Sequence, residues 1–210
     1  VVVHIDLNTA TLTFNKPTLA ICIPVRNGKE TIVRLIDSIL ASSVLPDEII
    51  VSDNFSDDGT PLLLEDYFGN RVKIYVNPFD IGFDNNVARS VQLSQSDYVW
   101  ILGDHCVISN DSICTVKQLL EKSNYPDGAV VYFKSVHGST GDPIKSAYSS
   151  HSSPKIITSL FDYTNSVAFN AYISCFIFKR CSFLACNIDK YSDSLFIHSK
   201  CALELIRRGS

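Results

Sequence analysis

The sequence predicts a single α/β domain whose sheet is mostly parallel and flanked by helices. Continuous apolar runs of the kind that form strands buried on both faces recur along the chain. Stretches with helical periodicity separate these runs, at the spacing that is typical of βαβ units. The 210 residues suit one such domain, and 46% of them are hydrophobic, which is enough for a buried core.

The first half of the chain supplies four of the predicted strands. Residues 1–17 are expected to form a lead-in with one edge strand over 10–14. Apolar runs then predict strands at 19–24, 48–51, 72–76 and 98–102. Between them, the apolar spacing of i, i+3, i+4 and i+7 predicts a helix from residue 30 to 40. Thr60 as N-cap and Pro61 at the first position predict a second helix to residue 68, and a third is expected over 85–93.

The second half continues the alternation and contains one long interruption. Asp111 is expected to cap a helix that runs to residue 122, and strands are expected over 129–133 and 172–178. Residues 134–158 are rich in Ser, Gly, His and Pro, and we expect them to form a flexible loop. A last helix is predicted over 196–208, with Arg207, Arg208 and then Gly209 as its terminus.

Composition excludes some classes of protein. The net charge is −4, and no cluster of Lys and Arg is present, so we expect no nucleic-acid partner. No apolar run approaches the ~18 residues that a transmembrane segment needs, and no signal peptide is recognisable. The seven cysteines form no C-x-x-C pair and are typical of free thiols in a reducing compartment, which predicts a cytoplasmic location.

Polar residues follow three of the predicted strands, where an open α/β sheet binds its ligands. These residues are Arg26-Asn27-Gly28, Ser52-Asp53-Asn54 and Gly103-Asp104-His105-Cys106. The carboxyl ends of parallel strands share one edge, so Asp53 and Asp104 are expected to face one cleft. Taken alone, Asp53 is also explained as a turn-forming acid. No G-x-G-x-x-G, P-loop or G-x-S-x-G motif is present, which gives no support to a classical dinucleotide fold, a P-loop enzyme or a serine hydrolase.

These segments resemble the amino-terminal half of a family 2 glycosyltransferase of GT-A (Rossmann-like) fold. Such enzymes have a strand ending in Pro-x-(Tyr/Arg)-Asn, a helix ending in Ser-Ile-Leu, then Asp-(Asp/Asn)-x-Ser-x-Asp-Gly-Thr, and later Asn-x-x-Asn-Leu-Gly-Phe-x-x-Asn. The matching segments are residues 19–28, 38–42, 48–60, 77–86 and 98–104. The abequosyltransferase-like bacterial branch, with its Trp-x-Leu-Gly-Asp-Asp-Asp motif, looks most similar.

The resemblance implies a set of nucleotide-binding residues. Asp53 would accept a hydrogen bond from the base, and the Gly82 turn would approach the sugar-diphosphate. Asp104 would lie near ribose, diphosphate and metal. The residues implied for nucleotide binding are Pro24, Arg26, Asn27, Asp53, Asn54, Asn86 and Asp104.

The sequence departs from the family at the metal motif. His105 and Cys106 stand where the pattern has carboxylates, and Mg²⁺ and Mn²⁺ prefer hard oxygen ligands. Either Asp104 and His105 hold the divalent metal, or metal binding is weak, or this member is degenerate or independent of metal. We expect Cys106 to face the cleft, so that Cys106→Asp would raise Mn²⁺ affinity without changing the fold.

The expected reaction also needs a base that deprotonates the acceptor hydroxyl. The resemblance points to a carboxylate well beyond the metal motif, and the candidates are Asp189 and Asp193. Asp193 is equally explained as an acid at the start of a helix. His198 is either a phosphate or metal contact or a core histidine. The family usually continues with further helices, which leaves open whether the acceptor region is complete.

The resemblance therefore implies a glycosyltransferase that moves a sugar, with inversion, from a nucleotide-diphosphate sugar to an acceptor hydroxyl. Its setting would be the synthesis of a bacterial surface polysaccharide or glycolipid. The donor would be UDP-, CDP-, GDP- or dTDP-linked, and the acceptor a saccharide or a lipid-linked molecule. A peripheral position at the inner membrane face is also consistent with the family. The alternatives are a catalytically degenerate nucleotide-sugar-binding protein and a nucleotidyltransferase.

Overall fold

The computed structural model describes residues 16–124, 130–132, 155–157, 159–161, 163 and 173–209. The predicted edge strand over 10–14 and most of the predicted loop over 134–158 lie outside these residues. Within the described part of the chain, no helix is both long enough and apolar enough to cross a bilayer. The seven cysteines are free thiols, as expected, and most of them are buried.

One mixed sheet organises the described residues. Its seven strands lie in the order β3-β2-β1-β4-β7-β5-β6. The strands are β1 (Leu19–Val25), β2 (Glu48–Asp53), β3 (Lys73–Val76), β4 (Tyr98–Ile101), β5 (Val130–Tyr132), β6 (Lys155–Ile157) and β7 (Phe176–Lys179). The first four run parallel, whereas β7 pairs antiparallel with β4 and the last three strands pair antiparallel with one another. The prediction of a mostly parallel sheet is therefore confirmed for the half that precedes residue 102.

Helices cover both faces of this sheet. They are α1 (Ile32–Leu40), α2 (Thr60–Phe68), α3 (Phe83–Leu93), α4 (Ser112–Lys122), α5 (Arg180–Leu184) and α6 (Ile197–Arg208). Alternate residues of β1 enter two different hydrophobic cores, because successive side chains of a strand point to opposite faces. One core includes α1, α2 and α4, and the other includes α3, α5 and α6. This double burial explains why β1 is a continuous apolar run.

The second half departs from the sequence prediction in two places. Residues 155–157 form the strand β6, so the predicted loop is wrong at its carboxyl end. Residues 173–175 form a short 3-10 helix, and β7 begins only at Phe176. The 3-10 turn brings the Ser174 carbonyl to the indole Nε1 of Trp100 at 2.9 Å, a buried hydrogen bond that an extended strand pattern does not reveal.

Helix termini differ in detail from the prediction. Thr60 is the first residue of α2, and its N-cap is Gly59, whose φ of 88° is in the left-handed region that favours glycine. Asp111 is the N-cap of α4, but its carboxylate accepts from Ser109 Oγ at 2.8 Å instead of capping the helix. Gly209 ends α6, as predicted, and is in the left-handed conformation.

Candidate active site at the carboxyl edge of the parallel strands

Asp104 lies where the loops after two neighbouring strands meet. In the sheet, β1 lies between β2 and β4, so the chain order reverses beside β1, and that is where open α/β sheets bind ligands. The Thr31 hydroxyl, on the loop after β1, donates to Asp104 Oδ2 at 2.5 Å. A Cβ on Gly28 would lie 3.0 Å from Asp104 Oδ2 and 2.4 Å from Val25 Cγ2, so a side chain at position 28 would push these groups apart. The loops after β1 and β4 therefore pack against each other, and the absence of a side chain at Gly28 permits this contact.

His105 lies beside Asp104 and forms an ion pair with it when protonated. Its Nδ1 lies 3.6 Å from Asp104 Oδ1, and the two side chains are 51% and 27% exposed. Burial would raise the pKa of Asp104, but hydrogen bonds from His105 and Thr31 outweigh it and lower the pKa. The hydrogen bond to Asp104 in turn raises the pKa of His105 against the opposing effect of its burial. The pair thus favours the protonated form of His105 as long as no cation is bound, and as a metal ligand His105 would be the neutral imidazole.

Asp53 ends β2 and is fully buried. Its Oδ1 accepts from the Ser56 amide at 2.9 Å, and its Oδ2 accepts from the Ser56 hydroxyl at 2.5 Å. Ser56 Oγ also accepts from the amide of Asn27 at 2.8 Å. Asp53 therefore fixes the turn that Asn27 contacts, and a nucleobase reaches the Asp53 carboxylate only if the Ser56 turn moves.

Asp80 connects three loops at this edge. Its carboxylate forms an ion pair with Arg26 and accepts from Asn54 Nδ2 at 2.5 Å and from the Gly82 amide at 2.9 Å. The hydrogen bond from the Gly82 amide lowers the pKa of Asp80, and Asn54 and Arg26 lower it further. Desolvation acts in the opposite direction but is outweighed. Arg26 is half exposed, so its guanidinium is held at the rim with donors still facing solvent.

Asn86 and Pro24 lie inside the fold, below the edge. The Asn86 side-chain oxygen accepts from Ser52 Oγ at 2.7 Å and from Asn77 Nδ2 at 3.0 Å, and its amide donates to the Ser52 carbonyl at 2.9 Å. Pro24 is buried in β1 beside Ser52 of β2. In this structure Asn86 holds the end of β2 in place, and its contact with a ligand stays a prediction.

Asp193 reaches the same edge from the far end of the chain. It is exposed, its φ of 62° is in the left-handed region, and its Oδ1 lies 3.8 Å from the position of a Cβ on Gly82. Asp189 is also exposed, in the 3-10 helix Ile188–Tyr191. His198 is buried with its ring 5.2 Å from that of Phe176, which is the environment of a core histidine. Of the two candidate bases, Asp193 is the one that lies against the Gly82 turn.

The expectation that Cys106 faces the cleft is wrong. The Cys106 amide donates to the Gly103 carbonyl at 3.0 Å, so the chain turns back at this point and directs the thiol into the core. Cys106 is 4% exposed, and its Sγ lies 2.9 Å from Ser174 Oγ, which also accepts from the Gly103 amide at 3.0 Å. A carboxylate at position 106 would therefore be buried, away from any ligand at the edge.

The remaining groups fit a divalent metal that is held mainly by its substrate. Among the described residues, no group of three or more His, Cys, Asp and Glu side chains is arranged to hold a metal ion. Asp104 and His105 offer one carboxylate and one imidazole, and Mg²⁺ sites of this kind complete their shell with water and substrate phosphates. Mn²⁺ also accepts imidazole among its ligands.

The sequence assigns no role to four residues of this edge, although three of them lie within the matching motifs: Thr31, Ser56, Asp80 and Asp84. Three of them are small or acidic residues in turns, where Ser, Thr and Asp are common for local reasons. Asp84 is in the first turn of α3, where an acid is ordinarily explained by the helix dipole. Only the fold shows that each of them contacts a distant segment.

The chain is similar to known glycosyltransferases in sequence. The family model described as Glycosyl transferase family 2 matches residues 20–184. The curated abequosyltransferase RfbV of Salmonella typhimurium is 33% identical over 109 residues, which are 49% of this chain and 32% of that protein. The chain thus spans about a third of the length of this relative.

Solved glycosyltransferase structures share the fold. Staphylococcus aureus TarS residues 1–349 in complex with UDP superpose with a TM-score of 0.68 at 15% identity, covering 89% of this chain and 55% of TarS. The mannosyltransferase PcManGT from Pyrobaculum calidifontis, in complex with GDP-Man and Mn²⁺, gives a TM-score of 0.62 at 18% identity. That match covers 93% of this chain and 54% of the mannosyltransferase. At these identities the likeness supports the fold, and the GT-A prediction is confirmed.

Proposed function

This chain belongs to glycosyl transferase family 2, and we propose that it transfers a sugar from a nucleoside-diphosphate sugar to an acceptor hydroxyl with inversion at the anomeric carbon. The observation that supports the proposal is that two carboxylates from distant parts of the chain lie on loops at the carboxyl edge of the parallel strands. Asp104 comes from the loop after β4 and contacts Gly28 and Thr31, and Asp193 approaches the Gly82 turn after β3. An inverting transfer needs polar groups that stabilise the leaving diphosphate and a base that deprotonates the attacking hydroxyl.

The donor would bind along the loops after β1 and β2. Arg26 is at the rim, and its guanidinium has the planar geometry that pairs with phosphate oxygens. Asn27 and the Ser56 turn, fixed by Asp53, would flank the base. Solved relatives in complex with UDP, UDP-GlcNAc and GDP-Man support a nucleotide sugar as the donor class. The sugar is a hexose or deoxyhexose in this proposal.

The proposed chemistry assigns the base to Asp193. Its carboxylate takes the proton of the acceptor hydroxyl while that oxygen bonds to the anomeric carbon. The bond from the anomeric carbon to the diphosphate oxygen breaks, and the nucleoside diphosphate leaves with its electron pair. Asp104 and His105 would hold a divalent ion, which would neutralise charge on the leaving diphosphate. Asp189 is the alternative base.

The acceptor would be a saccharide or a lipid-linked saccharide, in the synthesis of a bacterial surface polysaccharide or glycolipid. The similarity to an abequosyltransferase supports this setting. A second function is favoured by His105: its ion pair occupies the Asp104 carboxylate, as expected of a degenerate member that binds nucleotide sugar without transferring it. The two functions make the same binding prediction and differ in turnover.

The test combines binding and turnover on the same preparation. Calorimetry with UDP, CDP, GDP and dTDP, with and without Mn²⁺, measures nucleotide affinity, and chromatography measures release of nucleoside diphosphate from the matching sugar nucleotides. We expect Asp193→Asn to keep the wild-type affinity and to lose turnover by about 100-fold or more. Asp66→Asn, an exposed acid on α2, is the control for the loss of one charge. Binding without turnover in the wild type favours the degenerate member, and the absence of binding to all four nucleotides refutes the proposal.

A further inference from the structure

Asp84 joins two segments that are far apart in the sequence. It is in the first turn of α3, and it is only 2% exposed. Its Oδ2 accepts from the Ser194 amide at 2.6 Å, the Ser194 hydroxyl at 3.0 Å and the Leu195 amide at 2.7 Å. Its Oδ1 accepts from the Ile197 amide at 3.1 Å. One carboxylate thus receives four hydrogen bonds from a segment more than 100 residues later in the chain.

The segment that Asp84 holds is unusual in its backbone. Asp193 and Leu195 have φ values of 62° and 61°, in the left-handed region that is costly for residues other than glycine. Ile197 begins α6, whose own N-cap residue Phe196 makes no capping hydrogen bond through its side chain. Asp84 supplies that cap from another helix and satisfies amides that the strained turn and the helix start leave open.

Asp84 and Asp193 also meet the same neighbour from two sides. Gly82 is the N-cap of α3, two residues before Asp84, and Asp193 Oδ1 lies 3.8 Å from the position that a Cβ on Gly82 would take. The start of α3 therefore holds the residues that follow Asp193 through hydrogen bonds, and the Asp193 carboxylate lies near the Gly82 turn at the same helix start.

From these contacts we infer that Asp84 is the positioning residue for the Asp193 carboxylate. It fixes the turn at 193–197 against α3, so that Asp193 stays beside the Gly82 turn that follows β3. This inference rests on the proposed function, because it takes Asp193 as the base. Asp84 itself is buried, so it would act through the turn and not through contact with the substrate. It contributes to the reaction by holding the base within reach of the acceptor hydroxyl.

Two substitutions of Asp84 remove its hydrogen bonds to residues 194–197 to different extents. In Asp84→Asn, the side-chain oxygen keeps the three bonds of Oδ2, but its NH₂ group faces the Ile197 amide, and two donors then oppose each other. Asp84→Ala removes all four bonds. We expect turnover to fall about tenfold in Asp84→Asn and further in Asp84→Ala, with nucleoside-diphosphate affinity unchanged within about twofold. If Asp84→Ala does not fold, Asp84→Asn alone carries the test.

The deciding measurement is a double-mutant cycle on the 210-residue chain, with turnover of a nucleotide sugar by hydrolysis as the readout. If Asp84 acts through Asp193, Asp84→Asn causes no further loss in the Asp193→Asn background. Losses that multiply show a merely structural role and overturn the inference. Amide exchange gives a second readout: faster exchange at Ser194, Leu195 and Ile197 in Asp84→Asn supports the anchor, and unchanged exchange overturns it.

The outcomes separate this inference from the proposed function. A wild type that turns over no nucleotide sugar overturns both. An active wild type in which Asp193→Asn keeps full turnover removes Asp193 as the base and overturns this inference, while glycosyl transfer stands. Asp66→Asn is again the charge control, and its turnover is expected to match the wild type.

Discussion

Replacing Glu48 by Gln should destabilise the protein in a way that depends on pH. Glu48 begins β2, and its Oε1 accepts from Lys73 Nζ at 2.7 Å. Its Oε2 accepts from Ser94 Oγ, the Gln95 amide, the Ser96 amide and Ser96 Oγ at 2.8 to 2.9 Å. This one carboxylate fastens the loop between α3 and β4 to the start of β2. That end of the sheet is opposite to the candidate site.

The magnitude follows from the pKa of Glu48. Burial would raise this pKa, but Lys73 and the donors of residues 94–96 outweigh it and lower the pKa from 4.5 to about 2. A pKa unit corresponds to about 1.4 kcal/mol, so the shift corresponds to ~3 kcal/mol of folding free energy. Glu48 is 10% exposed but Lys73 is half exposed, and solvent screens part of their attraction. We expect Glu48→Gln to lower the free energy of unfolding by about 2 kcal/mol at pH 7.

The sign of the pH dependence is fixed by the direction of the shift. Because the folded pKa lies below the unfolded one, the contribution of Glu48 is complete above 4.5 and is lost as the pH falls towards about 2. The difference in unfolding free energy between wild type and Glu48→Gln should therefore shrink by more than half by about pH 3.

Urea denaturation between pH 7 and pH 3 measures this difference. Glu65→Gln, which removes an exposed acid on α2, is the matched control and should stay within ~0.5 kcal/mol of the wild type. The reasoning is refuted if Glu48→Gln is as stable as the control at pH 7. It is refuted equally if the loss is the same at pH 7 and pH 3.

Two further predictions concern the site. Cys106→Asp should cost several kcal/mol of unfolding free energy at pH 7, since it buries a charge beside Ser174, whereas Cys106→Ser should cost about 1 kcal/mol. Urea denaturation checks both, and a Cys106→Asp variant that is as stable as the wild type and binds Mn²⁺ more tightly would restore the sequence-based expectation. Asp53→Ala should weaken nucleoside-diphosphate binding at least tenfold, about 1.4 kcal/mol. Ser56→Ala should weaken it comparably in calorimetry, because Asp53 acts through the Ser56 turn, and unchanged affinity in both variants removes this turn from the site.

The sequence predicts the parallel half of the fold well because its signals are local. The strand β1 is apolar at every position, and each βαβ unit repeats the same change of period. The strands after residue 125 are short and pair antiparallel across long separations, so no local period identifies β6 within a polar stretch. The partners of a strand are set by the whole sheet, which a window of residues does not contain.

The candidate site was predicted in part for the same reason. The sequence predicts Asp104 at this edge because it comes shortly after a strand within a motif. The orientation of Cys106 is not predictable in the same way. Side chains alternate between the two faces only within a strand, and this alternation ends at the turn that begins at Gly103. Asp84 and Asp80 act on segments that are distant in sequence, and their types alone are ordinary for a helix start and a turn.

The late pairing of β4 has a consequence for how the chain is made. The strands β1 to β4 are complete once residue 101 has been synthesised, but β4 obtains its outer neighbour only from β7. The hydrogen bond of the Trp100 indole likewise cannot form until Ser174, 74 residues later, has been synthesised. Until then a nascent chain presents β4, whose residues are all buried in the folded protein, as an open edge, which is the kind of strand that pairs with other chains. Chaperone dependence during translation should therefore be greatest between the emergence of β4 and that of β7.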